Sequence, residues 1–267
     1  AQIVLVNNGK SKSRIVLTKE TPVNRTAANI LQMFVQKISG KNLPITLGQQ
    51  ALGKGDIWID GELSSGVTED GFSLSTKDGI LRISGSGNGA VYGVVTLLEQ
   101  YLGVDYWGEN EYSFNPAKTI ELPLIDKIDN PAFRYRQSQC YAMREDPVYK
   151  QWFRFEEPSE VFAGGMWVHT FDRILPSDVY GAAHPEYYSF INGERRPGKA
   201  SQWCLTNPEL FELVAQKIDS IFKANPGKNM ISVSQNDGNH TNCSCPECKA
   251  LDEQEGGPTG SLIHFLN

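Results

Sequence analysis

The chain contains no run of about 18 consecutive apolar residues, which is the length that a membrane-spanning helix requires. No basic and then apolar export signal opens it, so we read the sequence as already processed. Acidic residues (31) outnumber lysine and arginine (25), and the net charge is −6. Nucleic-acid binding depends on concentrated positive charge, and the basic residues here are scattered. We therefore expect neither a membrane-spanning segment nor a nucleic-acid partner.

Two motifs of common enzyme classes are also missing. The sequence has no G-x-S-x-G elbow, and its four histidines are not arranged with a serine or cysteine as a recognisable triad. The run Gly85-x-Gly87-x-Gly89 lacks the G-x-G-x-x-G spacing of a dinucleotide-binding loop and an acidic residue placed for a ribose. It predicts a turn from a hairpin into a helix.

Residues 1–127 alternate short strands with two helices, and we predict a small βαββα domain of the α/β class. Apolar residues at helical spacing predict helices over residues 24–39 and 90–102, which Gly40 and Gly103 would end. Asp78-Gly79 suits a type I′ hairpin turn. The predicted strands are residues 2–6, 15–17, 56–60 and the two arms of that hairpin.

A polar link at residues 128–131 predicts a second domain over residues 128–267. Three segments are candidate barrel strands: 133–140, 166–171 and 230–235. The best helix covers residues 208–224, with Asn207 as its cap, and another begins at Ser261. A complete (β/α)8 TIM-type barrel takes about 250 residues. We therefore expect the first part of a truncated barrel that belongs to a longer protein.

Two stretches carry a family resemblance. Gly85–Trp107, together with Ile38–Ile45, resembles the accessory domain that precedes the barrel in hexosaminidases and α-glucuronidases. From Phe133 onward the chain resembles glycoside hydrolase family 163, through Trp167-Val-His169, His184–Tyr188, Asn192–Arg195, Cys204–Pro208, Gln235–Asp237 and a cysteine cluster. This resemblance implies a secreted endo-β-N-acetylglucosaminidase of gut bacteria, acting on complex N-glycans of glycoproteins. It places the protein in the periplasm or on the outer-membrane surface of a Gram-negative bacterium.

The expected chemistry is substrate-assisted retaining hydrolysis, in which the acetamido oxygen of the sugar is the nucleophile. Related barrels carry the catalytic carboxyl groups on later strands, so we expect these groups beyond Asn267 and leave the catalytic residues unassigned. The alternatives are an α-glucuronidase-like or other exo-glycosidase, and a non-catalytic carbohydrate-binding protein.

The strongest local pattern is Cys243-x-Cys245-x-x-Cys248, with Cys204 upstream. Four thiolates can close a tetrahedral structural zinc site, and the layout resembles the zinc cluster of family 42 β-galactosidases. Export favours disulfides instead, and strain between near neighbours would let at most one of the three bridge to Cys204. Free thiols are the third possibility. We interpret the remaining cysteine, Cys140, as a buried strand residue.

The candidate substrate-binding residues lie at the ends of the predicted barrel strands, where barrel enzymes place their sites. They are Trp167, His169, Gln235, Asn236 and Asp237. Tryptophan can stack on a sugar ring, and the polar side chains can bind hydroxyl and acetamido groups. The alternatives are interior packing for Trp167 and His169, and a solvated turn for residues 235–237. Glu156 is expected to be an exposed charge. For Arg136 a structural salt bridge is the favoured interpretation, and a position facing the site is the alternative.

Overall fold

The computed structural model describes residues 3–48, 51–59, 63–141, 145–238 and 241–267. Their contacts form two compact units, Ala1–Glu156 and Glu157–Asn267. Gln2 and Asp60, which two of the predicted strands included, lie outside the described residues. No helix among the described residues combines the length and apolar character needed to cross a membrane.

The first unit contains eleven described strands and three described helices. The strands are β1 (Ile3–Asn7), β2 (Lys10–Ser11), β3 (Ile15–Leu17), β4 (Ile45–Leu47), β5 (Ile57–Ile59), β6 (Phe72–Lys77), β7 (Ile80–Gly85), β8 (Asp105–Gly108), β9 (Glu111–Ser113), β10 (Ile120–Leu122) and β11 (Asp126–Asp129). The helices are α1 (Pro22–Ser39), α2 (Gly89–Leu102) and α3 (Pro147–Trp152).

Six of these strands form one mixed sheet in the order β11-β6-β7-β5-β3-β4. Strands β4, β3, β5 and β7 are parallel, whereas β6 and β11 are antiparallel to their neighbours. Helices α1 and α2 pack against each other and cover a core of aliphatic side chains. The strands and helices predicted within residues 1–127 are confirmed, and so is a mixed α/β structure. The sheet also contains β4 and β11, which the sequence analysis did not predict.

Local signals account for these elements. The Thr21 hydroxyl accepts a hydrogen bond from the Asn24 amide (3.1 Å) at the start of α1. At its end, Gly40 adopts the left-handed conformation (φ 70°). In the β6–β7 hairpin, Asp78 (φ 55°) and Gly79 (φ 76°) both have positive φ, as a type I′ turn requires. The predicted cap and turn are confirmed.

The first unit continues to Glu156, past the predicted link at residues 128–131. Strand β11 includes the first two residues of that link, Ile128 and Asp129, and pairs with β6, so this part of the link belongs to the sheet. Further along, Trp152 is only 4% exposed and packs against Phe34, with 5.2 Å between the ring centroids. Side chains beyond residue 131 therefore complete the core of this unit.

The barrel strand predicted at residues 133–140 is wrong: this segment is fully described and forms no strand. Its backbone bonds to a later segment and not to a neighbouring strand: the Arg136 amide donates to the Glu156 carboxylate (3.1 Å) and the Arg136 carbonyl accepts from the Glu156 amide (2.8 Å). Phe133 is 75% exposed. Cys140 is also exposed, which corrects its interpretation as a buried strand residue.

The second unit is mainly helical where it is described. Its helices are α4 (Pro158–Val161), α5 (Phe171–Ile174), α6 (Ser177–Tyr180), α7 (Pro208–Ala224), α8 (Pro246–Gln254) and α9 (Gly260–Leu266). A short hairpin joins β12 (Phe190–Ile191) and β13 (Glu194–Arg195). The α7 prediction is confirmed with its cap, since the Asn207 side chain accepts from the Leu210 amide (2.9 Å). The core centres on Trp203, which stacks on Phe171.

The strands predicted at residues 166–171 and 230–235 are also wrong. Both segments are fully described, and only Met230 takes part in an isolated bridge, with Phe162. The two chain segments do run parallel, because the amides of Ala163, Ser232 and Thr170 bond to the carbonyls of Met230, Met166 and Ser234. Residues 163, 166 and 170 are thus matched with 230, 232 and 234. This uneven register interrupts a regular ladder, and His169 (φ 51°) departs from extended geometry.

Candidate functional site

Four cysteine sulfur atoms meet at one point in the second unit. Their Sγ atoms all lie within 4.8 Å of one another. Cys204 Sγ is 3.8 Å from Cys245 Sγ and 3.9 Å from Cys248 Sγ. Cys204, Cys245 and Cys248 are 3%, 2% and 1% exposed. The cysteines that the sequence analysis grouped are therefore brought together, and we call them the cysteine quartet.

These distances fit a metal better than a covalent bridge. A Zn–S bond of about 2.3 Å gives a tetrahedron whose sulfur atoms are about 3.8 Å apart. A disulfide would require about 2.05 Å between two of them. All four cysteines are free thiols in the structure. The donor set and its spacing thus suit one tetrahedral ion.

Two local structures position the quartet. Cys245 caps α8, and its sulfur accepts a hydrogen bond from the Cys248 amide (3.5 Å). The loop before α8 lies on the β12–β13 hairpin, because the Ser244 amide donates to the Phe190 carbonyl (2.8 Å). These hydrogen bonds therefore fix the positions of Cys243, Cys245 and Cys248. Cys204 approaches them from another part of the chain.

Polar donors surround the sulfur atoms. The Phe190 amide donates to Cys243 Sγ at 3.3 Å, and Arg195 Nη1 donates to the same sulfur at 3.7 Å. The Thr206 hydroxyl lies 3.2 Å from Cys248 Sγ. Such donors stabilise negative charge on sulfur. Arg195 and Thr206 come close to the site only through the fold, so the sequence carried no signal that they are its neighbours.

The thiols strongly affect one another. Hydrogen bonding to Cys243 and then to Cys248 lowers the pKa of Cys204. Hydrogen bonding to Cys204 in turn raises the pKa of Cys243 to about 11 and also raises the pKa of Cys248. Proximity by itself therefore favours a thiolate at Cys204 over thiolates at Cys243 and Cys248. A bound cation is what would allow all four to be deprotonated together.

A second group of side chains lies where the two parallel segments of the second unit end. His169 is exposed, and its Nδ1 donates to the Gln235 carbonyl at 3.0 Å. The Gln235 side chain contacts Asn242 Oδ1 at 3.5 Å. Trp167 is half-buried and Asp237 is exposed. We call Trp167, His169, Gln235 and Asp237 the polar edge.

The fifth predicted substrate-binding residue, Asn236, points into the protein. It is 8% exposed, its Oδ1 accepts from the Asp172 amide (3.1 Å), and its Nδ2 donates to the Ser201 carbonyl (2.7 Å). Gln202 bonds both backbone groups of Asn236, at 2.9 and 2.8 Å. This arrangement holds the turn at residues 235–237 in place. No sequence signal marked Gln202 as its partner.

The cysteine quartet and the polar edge lie within one region of family similarity. Residues 106–267, more than half of the chain, match the family described as "Domain of unknown function (DUF4838)". The chain belongs to the DUF4838 family. The matched region of this DUF4838 chain includes the four clustered cysteines and every residue of the polar edge.

No match is found among curated proteins. Among solved structures, the DUF4838 chain is similar over 51% of its length to a mutant Streptomyces plicatus β-hexosaminidase in complex with GlcNAc (18% identity, 24% of that chain, TM-score 0.36). It is similar over its whole length to a GH20 exo-β-N-acetylglucosaminidase from Vibrio harveyi (17% identity, 50% of that chain, TM-score 0.39). A Bacteroides fragilis β-N-acetylhexosaminidase matches 99% of it (10% identity, 60% of that chain, TM-score 0.42). The chain thus spans between 24% and 60% of these three proteins.

Proposed function

We propose that this DUF4838 chain is part of a glycoside hydrolase that acts on β-linked N-acetylglucosamine in complex N-glycans of glycoproteins. The proposal joins the sequence resemblance to family 163 with one structural observation, the polar edge. Two neighbouring parallel segments end there, with Trp167 and His169 on one and Gln235 and Asp237 on the other. A tryptophan and several polar side chains on two adjoining segments are the residue types that sugar sites use.

The hydrogen bonding of the His169 ring supports a binding role. Because Nδ1 donates to the Gln235 carbonyl, the neutral ring has a hydrogen-bond acceptor at Nε2. Nε2 has no hydrogen-bond partner among the described residues. An exposed acceptor of this kind can bind a sugar hydroxyl.

Under this proposal the polar edge binds and orients the glycan. The sugar's acetamido oxygen attacks the anomeric carbon while the glycosidic bond to the leaving oxygen breaks, and a carboxylic acid protonates that oxygen; water then attacks the anomeric carbon and releases the acetamido group. We assign no residue of this chain to that acid. The proposal includes export to the cell surface or periplasm, because the enzyme would encounter glycoprotein substrates there.

The proposal is tested by incubating the protein that contains this chain with a glycoprotein carrying complex N-glycans. Release of the intact glycan, detected by mass spectrometry, supports the endo-acting assignment. Release of single terminal sugars would show an exo-glycosidase instead. Retention on immobilised glycan without any cleavage would show a binding protein, and neither cleavage nor retention would overturn the carbohydrate assignment altogether.

The role of the polar edge is tested by His169→Ala. We expect glycan affinity to fall about tenfold, which corresponds to the loss of one hydrogen bond of about 1.4 kcal/mol. The matched control is His264→Ala, which removes an exposed histidine in α9. Isothermal titration with the glycan measures both variants. Equal affinities in the two variants would contradict a role for His169.

A further inference from the structure

We propose that Cys204, Cys243, Cys245 and Cys248 bind one zinc ion in a closed structural centre. The proposal rests on the positions of the four sulfur atoms. Four ligand atoms from two distant parts of the chain converge within 4.8 Å, and the separations of Cys204 Sγ from Cys245 Sγ (3.8 Å) and from Cys248 Sγ (3.9 Å) match those of a tetrahedral ZnS4 unit.

A disulfide does not account for the whole quartet. A bridge between Cys204 and Cys245 would shorten their 3.8 Å separation and leave Cys248, which is 1% exposed, as a buried thiol beside it. A metal uses every member of the group. It also explains why all four sulfur atoms lie within 4.8 Å of one another.

Zinc fits the donor set because thiolates are soft ligands and four of them fill a tetrahedral coordination sphere. No position is left for water or substrate, so the centre is structural rather than catalytic. Four thiolates around Zn²⁺ leave two negative charges. Arg195 and the Phe190 amide, which both donate to Cys243 Sγ, partly compensate that charge.

The metal would join two distant segments of the second unit. Cys204 follows Gln202 and Trp203, whereas the other ligands lie at the start of α8 on the β12–β13 hairpin. Gln202 also bonds Asn236 and the Thr241 hydroxyl (3.0 Å). Loss of the metal should therefore loosen the turn that carries Gln235 and Asp237. This last effect rests on the proposed function, whereas metal binding itself does not.

Metal content is the direct test. The chain, purified under reducing conditions without chelator, should contain about one zinc per molecule by elemental analysis. Cys204→Ser and Cys245→Ser should contain almost none. Cys140→Ser is the matched control, because Cys140 is exposed and outside the quartet, and it should retain the metal. Iron in place of zinc, or no metal in the unmodified chain, would overturn the proposal.

Thiol counting separates metal from disulfide without any activity assay. In the native chain Cys140 should react rapidly with a thiol reagent, while the quartet reacts only after zinc is removed by a chelator. All five thiols should react in denaturant without reductant. If only three thiols react under that condition, two cysteines form a disulfide and the proposal is wrong.

The serine variants could lose zinc because they misfold, so a second test uses a variant that keeps all four cysteines. Arg195→Gln should weaken zinc binding about 10- to 100-fold in competition with a chromophoric chelator, because it removes the charge beside Cys243. Arg173→Gln is the control, since Arg173 bonds to the carbonyls of Gly164 and Gly165 instead. Undiminished affinity in Arg195→Gln would contradict the assigned charge compensation.

Discussion

The buried carboxylate of Glu156 fixes the C-terminal end of the first unit to Arg136. Glu156 is 8% exposed, where the sequence predicted a solvated charge. Burial raises the pKa of Glu156 above its ordinary 4.5, although the Arg136 guanidinium opposes that shift. Arg136 lies 3.6 Å from Glu156 and 2.8 Å from Asp70. Two carboxylates, those of Asp70 and Glu156, therefore share the positive charge of the Arg136 guanidinium.

This arrangement predicts a pH dependence of stability. Because the folded pKa of Glu156 is raised, its contribution to stability is greatest below pH 4.5 and falls as the pH rises through the folded value. Glu156→Gln lacks this titration. The free energy of unfolding of the native chain, relative to the variant, should therefore fall between pH 4.5 and neutral pH. Denaturant titrations at both pH values measure it, with the exposed Glu121→Gln as control. The opposite trend would contradict the prediction.

Residues could be grouped from the sequence where the signal was local. The quartet was predicted because three of its cysteines lie within six positions and the chemistry of four thiols is specific. The burial of Glu156 and Asn236 was not predicted. Both depend on partners far along the sequence, Asp70 and Arg136 in one case and Ser201 and Gln202 in the other. Residue type alone carries no such information.

At the scale of elements, the glycine-rich turn into α2 requires glycine for close packing. The Asn88 amide donates to the Asp70 carboxylate (2.8 Å), and the Ser86 amide donates to the Gly71 carbonyl (3.0 Å). A Cβ on Gly89 would lie 1.9 Å from that same carbonyl oxygen. The turn predicted from Gly85-x-Gly87-x-Gly89 is confirmed, and its glycines allow backbone to pack directly on backbone.

Gly89→Ala should therefore destabilise the chain by about 3 kcal/mol, because backbone must move to admit the methyl group. Gly103→Ala is the control. It has open space around the new methyl group and only the left-handed φ of 65° to accommodate, at about 1 kcal/mol. Urea denaturation followed by circular dichroism compares them. Equal losses in the two variants would show that the contact with Gly71 is unimportant.

Helices and the barrel segments differ in where their backbone bonds go. Helices α1, α2 and α7 satisfy their backbone internally, so periodicity and caps predict them from sequence alone. The segments at 166–171 and 230–235 are apolar enough to suggest strands. Their bonds instead include the Thr170 hydroxyl, which donates to the Ser232 carbonyl and accepts from the Ser234 amide. A side chain that replaces ladder bonds leaves no periodic trace in the sequence.

At the scale of the whole molecule, the division between the units lies where buried contacts end. A proline-containing polar link suggested residue 127, but such links also occur inside a sheet edge, as β11 shows. The compact unit ends at Glu156. Composition correctly identified a polar segment. It could not indicate that Trp152, which comes later in the chain, is buried in the core of the first unit.

This division gives a prediction about truncation. A chain of residues 1–156 retains β11, the Arg136–Asp70 ion pair and Trp152 against Phe34. A chain of residues 1–127 loses Trp152 and Arg136, and it cuts β11 after its second residue. Deleting one buried tryptophan typically costs about 3–5 kcal/mol.

We therefore expect residues 1–156 to unfold cooperatively on heating and residues 1–127 to melt at a much lower temperature or without a transition. Thermal scans by circular dichroism measure both. Trp152→Ala in residues 1–156 is the matched control, because it removes the core contact while keeping the length, and it should reproduce most of the loss. Equal melting temperatures for the two truncated chains would place the end of the folded unit at the polar link after all.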